Sequence, residues 1–196
     1  MWSMNVYDFD NTIYAGESVF DFYIFCVRKH PSLIRFLFIV LISWGKYKLL
    51  LLSREKLMAL VEKHAMNFIK TMDNVEEFVS EFWDKNQHKI KQFYLETKRD
   101  DDVVVSASVG FLLREICGRL GIKNLVCTEV NSRTGKIYQL CFRQNKPDYF
   151  KNAFPDCKIK NFYSDSMNDL PMMKLAEKAY LVRGENVFPV AERKLR

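Results

Sequence analysis

Met4-Asn5-Val6-Tyr7-Asp8-Phe9-Asp10-Asn11-Thr12 is an apolar run that ends in two carboxylates separated by one residue. Residues 4–8 read as a short buried strand opening into an acidic loop. In an extended segment, alternate side chains point the same way, so Asp8 and Asp10 address one site. Two neighbouring carboxylates repel, and a cation or a shared proton must offset that repulsion. Magnesium suits such a place, because it takes a few carboxylates together with phosphate oxygens and water. Asp-x-Asp is also common at helix starts and in solvated loops, so the weight falls on its surroundings.

From residue 18 to about residue 98 the pattern is helical. Phe20, Tyr23, Ile24 and Val27 recur at helical spacing. Ser53 is placed to cap a helix carrying Leu57, Leu60, Val61 and Phe68, with Glu55 in its first turn. Asp73 followed by Glu76 resembles a capping box ahead of Phe78, Val79 and Phe82. Residues 33–52 are rich in Leu, Ile and Phe, interrupted by Arg35, Lys46 and Lys48. The uncharged part, 36–45, is half the ~20 residues of a membrane span. It reads as a buried or amphipathic helix, with a basic helix lying on an anionic membrane as the alternative.

Beyond Asp100-Asp101-Asp102 the pattern changes. Val103-Val104-Val105 is β-branched and reads as a central strand closed by Ser106. Val109, Leu112, Leu113, Ile116 and Leu120 form the stripe of a helix ended by Gly121. Leu125-Val126-Cys127 is a further strand, and turn residues between Val130 and Ile137 predict a hairpin. A helix follows Pro147, then a strand over 159–164, a helix over 170–176 and a strand over 179–182. This alternation predicts an α/β fold with a Rossmann-like parallel sheet and helices on both faces. A βα crossover needs roughly a dozen residues, yet about ninety separate the first strand from Val103. The excess predicts an inserted all-helical cap domain over 17–98, with 1–16 and 99–196 forming the core. In open α/β sheets, ligands bind beyond the carboxyl ends of the strands, so the insertion is placed to cover a site.

That edge collects further chemistry. Asp165 and Asp169 follow the strand over 159–164, four residues apart. Parallel strands bring them to the edge occupied by Asp8 and Asp10. The Ser106 hydroxyl and the amides after it, at Ala107 and beyond, can hold a phosphoryl oxygen without adding charge. Lys146, ahead of Pro147, can bring a cation to the same place.

Composition narrows the class. Of 196 residues, 48% are apolar and 28% charged, which excludes a disordered chain. The formal charge of +6 is spread along the chain, with no basic run interleaved with aromatics, so nucleic acid is not an expected partner. The five cysteines are odd in number and none lies in a C-x-x-C pair, which argues against a disulfide scaffold or zinc site and for a cytoplasmic location. Asp8 and Asp10 arrive before any apolar run of the ~7–15 residues that a secretory signal carries.

Asp8-Phe9-Asp10-Asn11-Thr12, then Val-Val-Val-Ser106, then Lys146, then Ser164-Asp165-Ser166-Met167-Asn168-Asp169 resemble, in order, the four motifs of the haloacid dehalogenase superfamily. The helical insertion resembles the cap of its phosphoserine phosphatase subgroup. Ser106-Ala107-Ser108 is similar to neighbours of that subgroup that include lipid-related phosphatases; phosphoserine phosphatase itself usually has glycines there. The resemblance implies a phosphatase with Asp8 as nucleophile, Asp10 as acid and base, and Ser106 and Lys146 holding phosphoryl oxygens. It implies Mg2+ on Asp8, Asp10 (through its backbone carbonyl), Asp165 and Asp169. Thr12 braces the nucleophile loop and, with Ala107, is a candidate on the substrate side. Glu17 stands where that subgroup binds the substrate amine, implying a small phosphorylated metabolite, an amino alcohol or amino-acid phosphate. A phospholipid head group such as that of a phosphatidylglycerophosphate, met by peripheral membrane contact, is the alternative. Phosphoryl transfer by a phosphomutase ranks below both. Asp10 argues against a dehalogenase, which lacks an acid at this position.

Overall fold

Seven strands form one sheet in the computed structural model of the chain, which describes residues 2–36, 38, 42, 56, 63, 67–69 and 74–191. They are β1 Trp2–Tyr7, β2 Val103–Val109, β3 Asn124–Val130, β4 Ile137–Gln139, β5 Cys157–Ser164, β6 Ala176–Arg183 and β7 Asn186–Pro189. Their spatial order is β4-β3-β2-β1-β5-β6-β7. The inner strands run parallel, and β4 and β7 close the two edges antiparallel. The described helices are α1 Ser18–Lys29, α2 Val75–Asn86, α3 Gln92–Thr97, α4 Gly110–Leu120, α5 Lys146–Ala153 and α6 Leu170–Met173.

The sheet is apolar on both sides, as a covered parallel sheet must be. Met4, Val6, Val103 and Val105 face Phe150 of α5 and Met172 and Met173 of α6. Tyr7 and Val104, one residue out of phase, face Leu112, Leu113 and Ile116 of α4. Phe22, Phe25, Phe82 and Trp83 from α1 and α2 belong to that second cluster. The Trp83 indole N–H donates to the Leu112 carbonyl at 2.8 Å, so α2 is seated on α4 by a buried hydrogen bond as well as by apolar contact. Outside the strands, Tyr14 bridges Ile90 antiparallel. The segments leaving and rejoining the sheet therefore run side by side just past the acidic loop.

Several local signals act as read. Gly121 ends α4 at φ 72, and Pro147 sits in the first turn of α5. Others shift. The cap of α2 is Asn74, whose side chain accepts from the Glu77 N–H, one residue beyond the expected Asp73/Glu76 box. β2 runs on to Val109 and so carries Ser106 and Ser108 within the strand. The helix expected over 170–176 stops at Met173, because Ala176 already pairs with Ile159 in the parallel ladder. β7 was not anticipated; it returns against β6 through Gly184 at φ 58. The helix expected after Ser53, Asp73 itself and most of 33–52 lie outside the described residues. Among the described residues no helix is long and apolar enough to cross a membrane.

Candidate active site

β1 is central, and the chain order reverses on its two sides, with β2 and β3 one way and β5 and β6 the other. Such a switch point opens a crevice at the carboxyl ends of the strands. Tyr7 pairs with Val104 on β2 and Tyr163 on β5, so the residues just beyond all three meet there. The Asp8 N–H extends the ladder by donating to the Tyr163 carbonyl at 2.9 Å. The chain then turns sharply. The Phe9 carbonyl accepts from the N–H groups of Thr12, Ile13 and Tyr14, and Asn11 adopts a left-handed φ of 56. Asn is one of the few residues that visit that region readily.

Asp8 is buried, and its Oδ1 accepts from the Lys146 ammonium at 2.7 Å. Lys146 also reaches Asp169 at 2.9 Å, and Asp169 accepts from the Ser164 hydroxyl at 2.9 Å. One cation from the start of α5 thus joins the carboxylates that follow β1 and β5. The other oxygen of Asp8 accepts from the Thr12 hydroxyl at 3.4 Å, long for an O–H···O bond, so it is weakly held. The Thr12 oxygen itself accepts from the Asp165 N–H at 2.8 Å. Fully buried Thr12 therefore pins the acidic loop to the end of β5.

Asp10 points toward α1. Its Oδ1 accepts from the Ser18 N–H at 2.7 Å, and its Oδ2 from the Ser108 hydroxyl. Ser106 is buried, its hydroxyl oxygen accepting from the Ser108 N–H at 3.1 Å, and Ala107 between them is exposed. Glu17 is exposed and accepts from the Asn11 side-chain amide at 2.7 Å, which turns it toward the acidic loop. Buried Lys91, on the segment rejoining the sheet, donates to the Asn11 carbonyl. Ser18, Ser108, Ser164 and Lys91 were not among the sequence candidates. Ser108 had a signal, its place two residues after Ser106; Lys91 had none, being one lysine in a helical stretch.

The electrostatics share one sign. Burial raises the Asp8 carboxyl, and Asp169 and Asp10 add to that, while Lys146 pulls it down. Burial likewise raises Asp10, against the hydroxyl and amide donors from Ser108 and Ser18. Asp165 is raised first by burial and Glu17 by partial desolvation, and both then by neighbouring carboxylates. For Lys146, burial opposes the charge but Asp8 and Asp169 outweigh it and raise the ammonium. Lys146 is the ammonium in contact with Asp8 and Asp169, while Arg183 and Lys91 also act on Asp165 and pull it down. Among the described residues no group of three or more His, Cys, Asp or Glu side chains could hold a metal alone. A magnesium ion at this edge would need main-chain carbonyl, water or phosphate oxygens beside the carboxylates.

An α/β fold with its acids gathered at the carboxyl edge of a parallel sheet defines the class of enzyme. A family model for haloacid dehalogenase-like hydrolases matches residues 6–174. The chain belongs to that family and is a hydrolase. Solved structures share its fold at low identity. A protein of unknown function from Bordetella pertussis Tohama I superposes with a TM-score of 0.73 at 20% identity, over 91% of this chain and 89% of that one. A phosphoserine phosphohydrolase-like protein from Francisella tularensis subsp. tularensis SCHU S4 gives 0.55 at 16%, over 91% and 86%. A probable phosphoserine phosphatase from Vibrio cholerae gives 0.52 at 14%, over 91% of this chain and 55% of that one. No curated protein matches the sequence.

Proposed function

We propose that this hydrolase is a magnesium-dependent phosphatase that cleaves a phosphate monoester through an aspartyl phosphate on Asp8. The observation that carries the reading is the buried Asp8 carboxylate, with one oxygen committed to Lys146 and the other weakly held, two residues before Asp10. Asp8 attacks phosphorus as the bond to the ester oxygen breaks, and that oxygen takes its electron pair and a proton from Asp10. Asp10, now a carboxylate, removes a proton from water, which displaces Asp8 and releases inorganic phosphate. Ser106 and Lys146 hold the phosphoryl oxygens. Asp8, Asp165 and the Asp10 main-chain carbonyl would hold magnesium, with Asp169 behind them. When bound, the ion offsets the repulsion between an anionic nucleophile and an anionic ester.

The substrate class favoured is a small amino alcohol or amino-acid phosphate, with Glu17 receiving the ammonium. Its support is the solvent-facing Glu17 carboxylate, turned by the Asn11 side-chain amide toward the loop that carries Asp10. A phospholipid head group is the second reading, favoured by exposed Ile34, Phe38 and Ile42 on the insertion. In either case residues 17–98 act as a cap that selects the ester carried into a core of 1–16 and 99–196. The thiols of Cys117, Cys127, Cys141 and Cys157 support a reducing, cytoplasmic setting. The test is p-nitrophenyl phosphate hydrolysis with and without magnesium. Metal-dependent release by the wild type and none by Asp8→Asn is the expected result; equal rates for the two would sink the reading.

A further inference from the structure

Both oxygens of the Asp10 carboxylate have a dedicated donor, and neither donor has a role in the chemistry derived so far. The Ser18 N–H, at the first residue of α1, takes Oδ1 at 2.7 Å. The Ser108 hydroxyl takes Oδ2 and itself accepts from the Ser18 hydroxyl at 3.0 Å. The Ser108 N–H meanwhile donates to the Ser106 hydroxyl oxygen at 3.1 Å. Ser108 is thus tied at once to the phosphoryl-holding serine and to the acid, and it is buried. Ser106 and Ser108 lie where the pairing of β2 with β3 is irregular, between Val105 and Val109, and both side chains are buried there.

We propose that Ser108 is a positioning residue that holds Asp10 in register with the ester oxygen through both halves of the reaction. The proposal rests on the acid–base role given to Asp10 above. A hydroxyl is suited to the task because a protonated carboxyl keeps acceptor capacity: Ser108 donates to Asp10 in both protonation states and leaves the acid's own proton free to face the ester oxygen. When Asp10 gives its proton to the leaving oxygen, the Ser108 hydroxyl and the Ser18 N–H are already aimed at the carboxylate left behind. That stabilises the product of proton transfer and keeps the same oxygen in place to deprotonate water. The Ser18 donor comes from the first residue of α1, so Ser108 also joins the acid to the segment that leads into the cap.

The readout is the leaving-group dependence of kcat/KM, which a merely structural role would not move. p-Nitrophenol departs as a stable anion and needs little help from an acid, whereas phenol needs it. Ser108→Ala is expected to lose about 10- to 100-fold in kcat/KM on phenyl phosphate, part of the range for acid catalysis, and only a few-fold on p-nitrophenyl phosphate. Ser108→Thr, which keeps the hydroxyl, should recover most of the difference. Asp10→Asn is the control. If Asp10→Asn shows the split and Ser108→Ala loses equally on both esters, or nothing on either, the role of Ser108 is overturned. If Asp10→Asn itself shows no split, the acid role of Asp10 falls, and with it the proposal. Matched thermal unfolding midpoints for the Ser108 variants separate positioning from loss of fold; rescue by Thr decides the matter if the Ala variant is unstable.

Discussion

Lys146 and Asp8 form a buried ion pair at 2.7 Å, and the same ammonium spans to Asp169 at 2.9 Å. The pair joins α5 to the ends of β1 and β5, so it serves stability as well as chemistry. Lys146→Met leaves two buried carboxylates without their cation. It should lower the unfolding free energy by about 3 kcal/mol, the size seen when one member of a buried pair is removed. Urea unfolding at neutral pH measures it, and a loss below about 1 kcal/mol would contradict the burial of the pair.

Thr12 supports Asp8 and Asp165 with one hydroxyl. Thr12→Val keeps the shape but leaves the Asp165 N–H without its acceptor. It should cost about 1–3 kcal/mol of stability and reduce turnover, while Thr12→Ser retains both. Parallel unfolding and p-nitrophenyl phosphate assays on the two variants check this; equal behaviour of Val and Ser would count against the brace.

Asp102, far along the chain from the acidic loop, is buried, and its Oδ1 has no partner among the described residues. Burial pushes its carboxyl from an ordinary 3.8 to about 6. A raised carboxyl means that the folded state binds the proton more tightly than the unfolded state. The stability it contributes is present in full below pH 3.8 and is lost as the pH rises through about 6. At neutral pH the ionised carboxylate therefore weighs against the fold by an amount on the order of 3 kcal/mol. Asp102→Asn should be the more stable protein at pH 7 by about that amount, with the gap closing near pH 4. Unfolding midpoints across that range test it; a gap that widens toward acid would reverse the sign and refute the assignment.

Asp169 stands behind the donors that would hold magnesium and accepts from Lys146 and Ser164. A chelator should abolish turnover and added magnesium restore it. Asp169→Asn should raise the magnesium concentration needed for half-maximal rate by about 10- to 100-fold, the usual effect of losing an outer partner of a metal site. An unchanged magnesium titration would remove Asp169 from that role.

The sheet and its acids were legible because their signals are local. β-branched Val103-Val104-Val105 and the period-two pattern around Val6 are properties of the strand itself, and so is the loop that follows each. The edge strand β7 was missed because four residues, two of them Phe188 and Pro189, carry little pattern beside a single turn glycine. The end of α6 was misplaced because pairing of Ala176 with Ile159 is a tertiary fact that helical spacing does not encode. The same holds at the site. Asp8, Asp10, Asp165 and Asp169 announce themselves by type and spacing, whereas Ser108 and Lys91 act through partners 98 and 80 residues away. No single stretch of sequence contains either relationship.

The claim that everything else depends on is that phosphorus becomes bonded to Asp8. Asp10→Asn should accumulate that species with p-nitrophenyl phosphate, because the ester needs little acid to leave while the second step lacks its base. Acid quenching after mixing with the 32P-labelled ester and magnesium, followed by peptide mapping, measures it directly. Hydroxylamine-sensitive label on the peptide carrying Asp8, and none in Asp8→Asn, is the predicted result. Turnover by the wild type with no trapped label in Asp10→Asn, or label on another residue, would contradict it.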